Sequence, residues 1–190
     1  MDKLIFEDKI LDNTDHSEQV LLPAEYTNCR FINCNFSKAD ISNIDFFDCT
    51  FKGCNLSLAT VTNTGIKNVT FIDSKLSGVQ FAHCSNFLFE ASFDNCLLDY
   101  SSFYQKKMKK ANFNNCSLKE VDFVETDLTM AVFKNCEMAK AIFEGTILEK
   151  ADFRTARNYS LDPELNKLKK AKFSFPGIVG LLTKYQIEIE

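Results

Sequence analysis

The sequence of 190 residues contains no tryptophan and only two histidines, His16 and His83. Neither histidine has a cysteine, serine or carboxylate partner at the spacing of a known metal or nucleophile motif. The sequence also has no GxSxG, P-loop, HExxH or GxGxxG motif. These absences argue against an enzyme and leave no candidate catalytic, metal-binding or cofactor-binding residue.

The chain also lacks a long apolar run and an excess of basic residues. No stretch approaches the roughly 18 uncharged apolar residues of a membrane span, so none is predicted. The first residues, MDKLIFEDKILDN, lack the basic start and apolar core of a secretory signal, and we expect a cytoplasmic location. The formal net charge of −4 gives no reason to expect direct binding of nucleic acid.

What the sequence has in abundance is phenylalanine, with 19 residues, at a regular spacing. Residues 111–153 read in fives as ANFNN, CSLKE, VDFVE, TDLTM, AVFKN, CEMAK, AIFEG, TILEK and ADF. The first residue of each five is small and the third is large and apolar. Neither an α-helix nor a strand has a period of five. A fixed short period of this kind is typical of a coiled solenoid.

The same period covers residues 31–81 and resumes at residue 93. All central positions of these two stretches are apolar, and we expect them to point inward together with the small residue two positions before each. Four sides of five residues would make a coil of twenty residues. This longer period is also present, because phenylalanines recur twenty residues apart at Phe31, Phe51 and Phe71 and again at Phe93, Phe113, Phe133 and Phe153.

The pattern of a small residue, a polar residue, a Leu or Phe and two further residues resembles the pentapeptide-repeat family over residues 29–81 and 91–155. The resemblance implies an all-β fold, a right-handed quadrilateral β-helix of about six coils. We expect an N-terminal cap at residues 1–28, the β-helix at 29–155, and a C-terminal turn and helix cap at 156–190.

Two places interrupt the repeat. At residues 82–92 two extra residues shift the register, which predicts either a bulge with one exposed aromatic side chain or a functional loop. Lys106 occupies an inward small position, where a lysine cannot be buried without a partner. We expect the backbone to distort there and to form a basic patch that is either a solvated edge or a site for an anionic partner, comprising Lys106, Lys107, Lys109 and Lys110.

The C-terminal region predicts a short helix at about residues 177–185, with Ser174 as N-cap and Pro176 in its first turn. The alternating residues 186–190 fit a short edge strand. In some members of the family a region of this kind forms a two-fold dimer. The apolar side chains predict either a plain cap or a homodimer interface formed by Phe175, Ile178, Val179, Leu181, Leu182, Tyr185 and Ile187.

Seven of the eight cysteines fall on inward small positions, and five should stack on one face: Cys34, Cys54, Cys96, Cys116 and Cys136. Tetrahedral zinc needs converging ligands in closely spaced pairs, whereas stacked side chains run parallel. In-register neighbours are about 4.8 Å apart, which is too far for the Cβ atoms of a disulfide. We interpret these cysteines as small apolar fillers of the core.

Two functions are compatible with such a rod. The first is a non-enzymatic, rigid protein-binding scaffold with an unknown partner. The second follows from the resemblance, since quinolone-resistance members mimic DNA and bind type II topoisomerases such as DNA gyrase. Residues 29–155 carry fourteen basic and fifteen acidic residues, a weak polyanion. The acidic side chains that the twenty-residue count places on one face are Asp40, Asp122, Glu125 and Glu144.

Overall fold

The structure is a computed structural model that describes residues 3–87 and 89–188. Its strands are short and all of their pairings are parallel. They are β1 (Leu4–Glu7), β2 (Ile10–Asp12), β3 (Ala24–Thr27), β4 (Arg30–Ile32), β5 (Asp45–Phe47), β6 (Thr50–Lys52), β7 (Gly65–Lys67), β8 (Val69–Ile72), β9 (Ala91–Asp94), β10 (Asn112–Asn114) and β11 (Val132–Lys134).

Successive strands of each sheet come from successive coils. One side of the rod is a four-stranded sheet in the order β1-β3-β5-β7, and the next is a seven-stranded sheet in the order β11-β10-β9-β8-β6-β4-β2. The other two sides are held by isolated parallel bridges such as Asn35↔Asn55 and Asp40↔Thr60. The predicted right-handed quadrilateral β-helix is confirmed, with about six coils between residues 29 and 155.

The predicted central residues fill the inside of the rod. Phe113 stacks on Phe93 of the preceding coil, with ring centroids 5.1 Å apart and planes 7° apart. It meets Phe123 of the neighbouring side edge to face at 5.9 Å. Parallel rings along a column and T-shaped contacts between columns are both favourable arrangements of aromatic quadrupoles. One residue type therefore serves for packing in both directions.

The solenoid begins earlier than the sequence analysis predicts. Strands β1 and β2 lie within residues 1–28, the predicted cap, and pair with β3 and β4 to make a further coil. Its central side chains continue the columns, since Phe6 stacks on Tyr26 at 4.8 Å and His16 on Phe36 at 5.0 Å. The period was hidden because the inward small positions of this coil hold Leu4, Lys9, Thr14 and Gln19. At an open end these positions do not have to be small.

The solenoid also continues past residue 155. Asp152 bridges to Lys172, and the ring of Phe173 stacks on that of Phe153 at 5.4 Å. The segment from 156 to 173 therefore forms a last coil, where the sequence analysis predicts a separate cap. The sequence analysis missed this coil because the next two central positions, which should hold large apolar side chains, are occupied by Asn158 and Pro163.

The predicted C-terminal helix is two short 3-10 helices, Pro176–Leu181 and Thr183–Tyr185. Pro176 lies in the first turn as predicted. The N-cap is Phe175 and not the predicted Ser174, which lies one residue earlier and accepts a hydrogen bond from the Gly177 N–H at 3.2 Å through its hydroxyl. Gly177 and Gly180 lie directly against Tyr159, where a Cβ would collide.

The predicted edge strand at 186–190 is absent from its described part, residues 186–188, and residues 189–190 lie outside the described residues. Gln186 ends the second 3-10 helix in a left-handed conformation, with φ 50°. Within the described part of the chain, no helix has the length and apolar character needed to cross a membrane.

Candidate protein-binding surfaces

The interior of the rod is occupied by side chains, including the cysteines. The cysteine column lies on one side as predicted, since Asn55, Lys75, Leu97 and Ser117, the residues that follow its inward positions, are linked by coil-to-coil bridges. The Cys54 thiol donates to the carbonyl oxygen of Phe31 at 3.3 Å, and burial raises its pKa to about 12. A protonated, hydrogen-bonded thiol packs as a small side chain and is a poor nucleophile.

All eight cysteines are free and buried. No group of three or more potential metal ligands occurs within residues 3–87 and 89–188. Cys84 lies within the register shift at residues 82–92, and burial raises its pKa also to about 12. The arrangement supports the filler interpretation, because the thiols of the column are held by neighbouring backbone carbonyls.

Lys106 corrects the sequence analysis, which places it in a surface basic patch. Its side chain is inside the rod and only 1% of the residue is exposed. The ammonium donates to the carbonyl oxygen of Cys84 at 2.5 Å and to Oδ1 of Asn86 at 2.7 Å. It also lies 5.3 Å from the centroid of the Phe89 ring. Burial lowers the pKa of Lys106, and the two acceptors and the ring compensate the buried charge.

The partners of Lys106 all lie in the segment 82–92, in which two extra residues shift the register. Phe87 is 78% exposed, whereas Phe89 is buried against Phe81 and Phe103. This agrees with the predicted bulge and its single exposed aromatic side chain, while Leu88 lies outside the described residues. The long lysine side chain fills space that the displaced backbone leaves, and it fastens the bulge to the next coil.

The other three lysines of the predicted patch, Lys107, Lys109 and Lys110, are exposed. Lys109 forms an ion pair with Asp127 at 3.5 Å. Hydrogen bonds from Thr129 and, to a smaller extent, the charge of Lys109 lower the pKa of Asp127. The patch is therefore smaller and less basic than the sequence analysis predicts.

The predicted acidic surface is only partly brought together. Asp122, Glu125 and Glu144 lie on neighbouring coils, and the Glu125 N–H donates to the Glu144 carbonyl at 2.8 Å. Asp40 shares the column of Asp122, but four coils away, which is about 19 Å at a coil spacing of about 4.8 Å.

The carboxylates of this surface also have partners within the protein. Ser102 donates to Asp122 at 2.9 Å, and Gln105 donates to Glu125 at 2.7 Å. Both donors are neutral, so the carboxylates keep their charge, but three carboxylates on neighbouring coils make a far smaller negative face than a DNA backbone.

The C-terminal segment exposes most of the apolar side chains predicted for a dimer interface. Phe175 is 87% exposed, and further exposed side chains are Ile178, Val179, Tyr185 and Ile187. Leu181 instead packs against the core, and Leu182 is half-buried. Lys184 fixes the segment by ion pairs to Asp162 at 2.8 Å and Glu164 at 2.7 Å, and hydrogen bonds to these carboxylates raise its pKa.

A second group of exposed apolar side chains lies at the opposite end and was missed by the sequence analysis. It is distributed around three sides of the first coil and comprises Leu4, Ile5, Ile10, Val20 and Leu22. The signal was available in the sequence, because Ile5, Ile10 and Val20 each directly precede a central position, at Phe6, Leu11 and Leu21. Treating residues 1–28 as a cap concealed it.

Comparison with protein-family models identifies the repeat. The family model of the pentapeptide repeat region matches residues 24–103 and 44–123, and that of pentapeptide repeats (8 copies) matches residues 116–154. The chain belongs to the pentapeptide-repeat family. No curated protein matches the chain.

Several solved pentapeptide-repeat structures are similar to this one. Full-length QnrB1, a plasmid-mediated fluoroquinolone resistance protein, has a TM-score of 0.55 and 18% identity, over 96% of this chain and 100% of that one. A trypsin-treated variant of QnrB1 has a TM-score of 0.59 and 20% identity, over 99% of this chain and 98% of that one. HetL of the cyanobacterium Nostoc sp. strain PCC 7120 has a TM-score of 0.48 and 13% identity, over 90% of this chain and 89% of that one.

Proposed function

We propose that this protein is a non-enzymatic, rigid scaffold that binds a protein partner in the cytoplasm. The observation that carries the proposal is the division between a filled interior and apolar side chains exposed at the two ends of the rod. Repeat solenoids ordinarily bind through such fixed outer surfaces, and contiguous exposed apolar patches mark protein interaction sites. Enzymes, in contrast, ordinarily use a concave pocket.

The C-terminal surface is proposed to bind a second copy of the chain in a two-fold dimer. Its exposed side chains are held on a segment that Lys184 and the Tyr159 contacts fix in place, so little ordering is needed on association. Analytical ultracentrifugation tests this. Wild-type protein should sediment as a dimer, and the double variant Phe175→Ser/Val179→Ser as a monomer.

The matched control for this experiment is Phe87→Ser, which removes a similarly exposed aromatic side chain far from the C-terminus. It should leave the dimer intact. A monomeric wild type at about 100 μM, well above the micromolar Kd expected of a specific interface, would contradict the dimer.

A second candidate function is that of a DNA mimic that binds DNA gyrase or topoisomerase IV and gives fluoroquinolone resistance. The fold similarity to QnrB1 over nearly the whole of both chains favours it. The near-neutral body of the rod and the separation of Asp40 from the other three carboxylates weigh against it. We therefore rank it below the general scaffold.

A gyrase supercoiling assay separates the two functions. The protein is titrated into the assay with and without a fluoroquinolone, at low and high salt. A DNA mimic should inhibit supercoiling or protect from drug at micromolar protein, and high salt should abolish the effect because it screens charge. Asp122→Asn, Glu125→Gln and Glu144→Gln should weaken it, whereas Glu18→Gln, on the first coil, should not.

The general scaffold makes the opposite prediction. Gyrase activity should not change up to tens of micromolar protein, and the complex with the true partner should persist at high salt. Affinity that collapses between about 50 and 200 mM salt, as it does for binding dominated by phosphate-like charges, would contradict the salt-insensitive scaffold.

A further inference from the structure

The N-terminal coil leaves the edges of two sheets unpaired within the described residues. Strand β1 pairs only with β3, and β2 pairs only with β4. In the later coils, the residue before each central position donates its N–H to the coil below. The Gly65 N–H donates to the carbonyl oxygen of Ile44 at 2.9 Å, and the Arg30 N–H donates to the carbonyl oxygen of Lys9 at 2.8 Å. By the same register, the Ile5 N–H points away from the rest of the described chain.

The outward side chains of the first coil are apolar at three positions where the second coil has charged side chains. Ile5 pairs with Glu25, Ile10 with Arg30, and Val20 with Asp40. The same outward position is therefore apolar in the first coil and charged in the second. The apolar members are 50% to 80% exposed, together with Leu4 and Leu22. An edge strand with apolar side chains is a template for strand addition.

The apolar side chains concentrate at the corner beside β1. Leu22 precedes Ala24 by two residues, and Ala24 pairs with Leu4 of β1. Leu22 therefore lies at the corner beside the start of β3, and Leu4 and Ile5 lie on β1 itself, whose other edge has no partner among the described residues. We use the name N-terminal edge for β1 together with these three side chains and Val20.

The charge around the N-terminal edge indicates which occupant it fits. Residues 1–28 carry seven acidic and two basic residues. Two copies that met through this end would bring their negative charges together, which opposes self-association. A segment with basic side chains would instead gain from the same charge, both in affinity and in rate of encounter.

We propose that the N-terminal edge binds an extended segment of a different protein, with alternating apolar and basic residues, by adding it as a strand to β1. The backbone of the segment would hydrogen-bond to the edge. Its apolar side chains would lie on the inward side, over Leu4, and its basic side chains would lie on the outward side, where their aliphatic stems cover Ile5 and their charges approach the carboxylates of residues 1–28. The proposal rests on the scaffold function and names the chemistry of a partner.

The test uses a fluorescein-labelled hexapeptide of alternating lysine and valine, with an alternating glutamate and valine peptide as the charge control. Fluorescence anisotropy should show saturable binding of the lysine peptide only, and binding should persist at high salt with a modest loss of affinity, because salt screens the charges but not the backbone hydrogen bonds and apolar contacts. Hydrogen exchange should show protection concentrated in residues 4–12. Absence of saturable binding at millimolar peptide would overturn the proposal, as would equal binding of the glutamate peptide.

Variants of the full-length protein locate the site. Ile5→Pro removes the outward N–H and should weaken binding about tenfold or more, equivalent to about 1.4 kcal/mol. Ile142→Lys changes an exposed isoleucine at the equivalent outward position near the other end and should bind as wild type. Circular dichroism and thermal melting establish that both variants fold. Unchanged binding by Ile5→Pro would overturn strand addition.

The outcome is independent of the other proposals. If wild-type protein self-associates without peptide and Ile5→Lys abolishes this, the occupant is a second copy and the proposal is wrong. The dimer test at Phe175 and Val179 and the gyrase assay do not involve this end of the rod. If the peptide does not bind, only strand addition at the N-terminal edge is wrong. The scaffold function is tested separately, by the dimer test and the gyrase assay.

Discussion

The corners of the coils place one residue in five in the left-handed backbone region. Asn33, Asn115 and Asn135 have φ between 51° and 54°, and their counterpart Gly53 has φ 66°. Asparagine tolerates this region better than most residues and glycine has no penalty there. The Asn135 side chain also donates to that of Asn115 at 3.1 Å, as a hydrogen-bonding ladder requires. The recurrent asparagines are thus explained by backbone geometry.

Leu58 is a corner residue that lacks this adaptation. It has φ 58°, is exposed, and its side chain lies against Gly78 of the next coil. Leu58→Gly should raise the free energy of unfolding by about 1 kcal/mol, because it removes the left-handed penalty. Urea denaturation measures the change.

Leu97 supplies the control for this substitution. It is also exposed, but it lies in a bridge and has no positive φ. Leu97→Gly should lower the free energy of unfolding by about 0.5–1 kcal/mol. If both variants shift stability in the same direction, corner strain is not the cause.

At the scale of the structural element, the insertion at 82–92 is held by one buried cation. Lys106 reaches from one coil to Cys84 and Asn86 of the coil below, so that the bulge and its exposed Phe87 have a fixed position. A buried charge is retained only where its hydrogen bonds are satisfied. The insertion and the lysine therefore depend on each other, although twenty residues separate Asn86 from Lys106.

Replacement of Lys106 tests this dependence. Lys106→Ala should lower the free energy of unfolding by about 2–5 kcal/mol, through a cavity and the unpaired Cys84 carbonyl. Lys106→Met fills most of the space and should lower it by less. Guanidinium denaturation measures both, with the surface change Lys107→Met as the control, expected within about 0.5 kcal/mol of wild type. A Lys106→Ala protein as stable as the control would contradict the fastening role.

At the scale of the whole molecule, the rod is a stack of nearly identical layers with different ends. Each layer is stabilised mainly by its two neighbours. Within the described residues the first coil has a layer on one side only, and the last is covered by the 3-10 helices. More than half of the large apolar residues that are exposed lie at the two ends, and the proposed binding surfaces lie there.

The thiols along the core make stability fall in alkali. Burial raises the pKa of Cys49 and Cys54 to about 12, from an ordinary value of 9.0. Above pH 9 the thiols of the unfolded chain lose protons that the buried thiols of the folded protein keep. The unfolded state is therefore stabilised relative to the folded state. The loss should be about 1.4 kcal/mol per thiol for each pH unit above 9.0, up to the folded pKa.

Urea denaturation between pH 8 and 10.5 measures this slope. The double variant Cys49→Ala/Cys54→Ala should have a shallower pH dependence than wild type. Val121→Ala, which truncates a core side chain without a titrating group, should lower stability equally at every pH. Lys106 acts in the opposite direction, because its lowered pKa makes stability rise with pH up to its ordinary range. Identical slopes in the double variant and wild type would contradict the thiol contribution.

The sequence by itself determined the architecture of the repeat. Each side of a coil is a local unit of five residues, so a short period states which side chains point inward. It also states which ones stack, as Phe113 does on Phe93 and Phe133. The cysteine column followed from the same count, because in a solenoid the separation of two residues along the chain gives their separation in space.

Only the tertiary structure decided the features where that count fails. The burial of Lys106 depends on acceptors that the insertion places beneath it, and no local pattern reports them. The first coil was hidden because Lys9 and Gln19, at an end, need not be small, and the last because Asn158 and Pro163 interrupt the period. The division of the acidic residues between distant coils, and the exposed apolar ends, likewise depend on where stacking begins and stops.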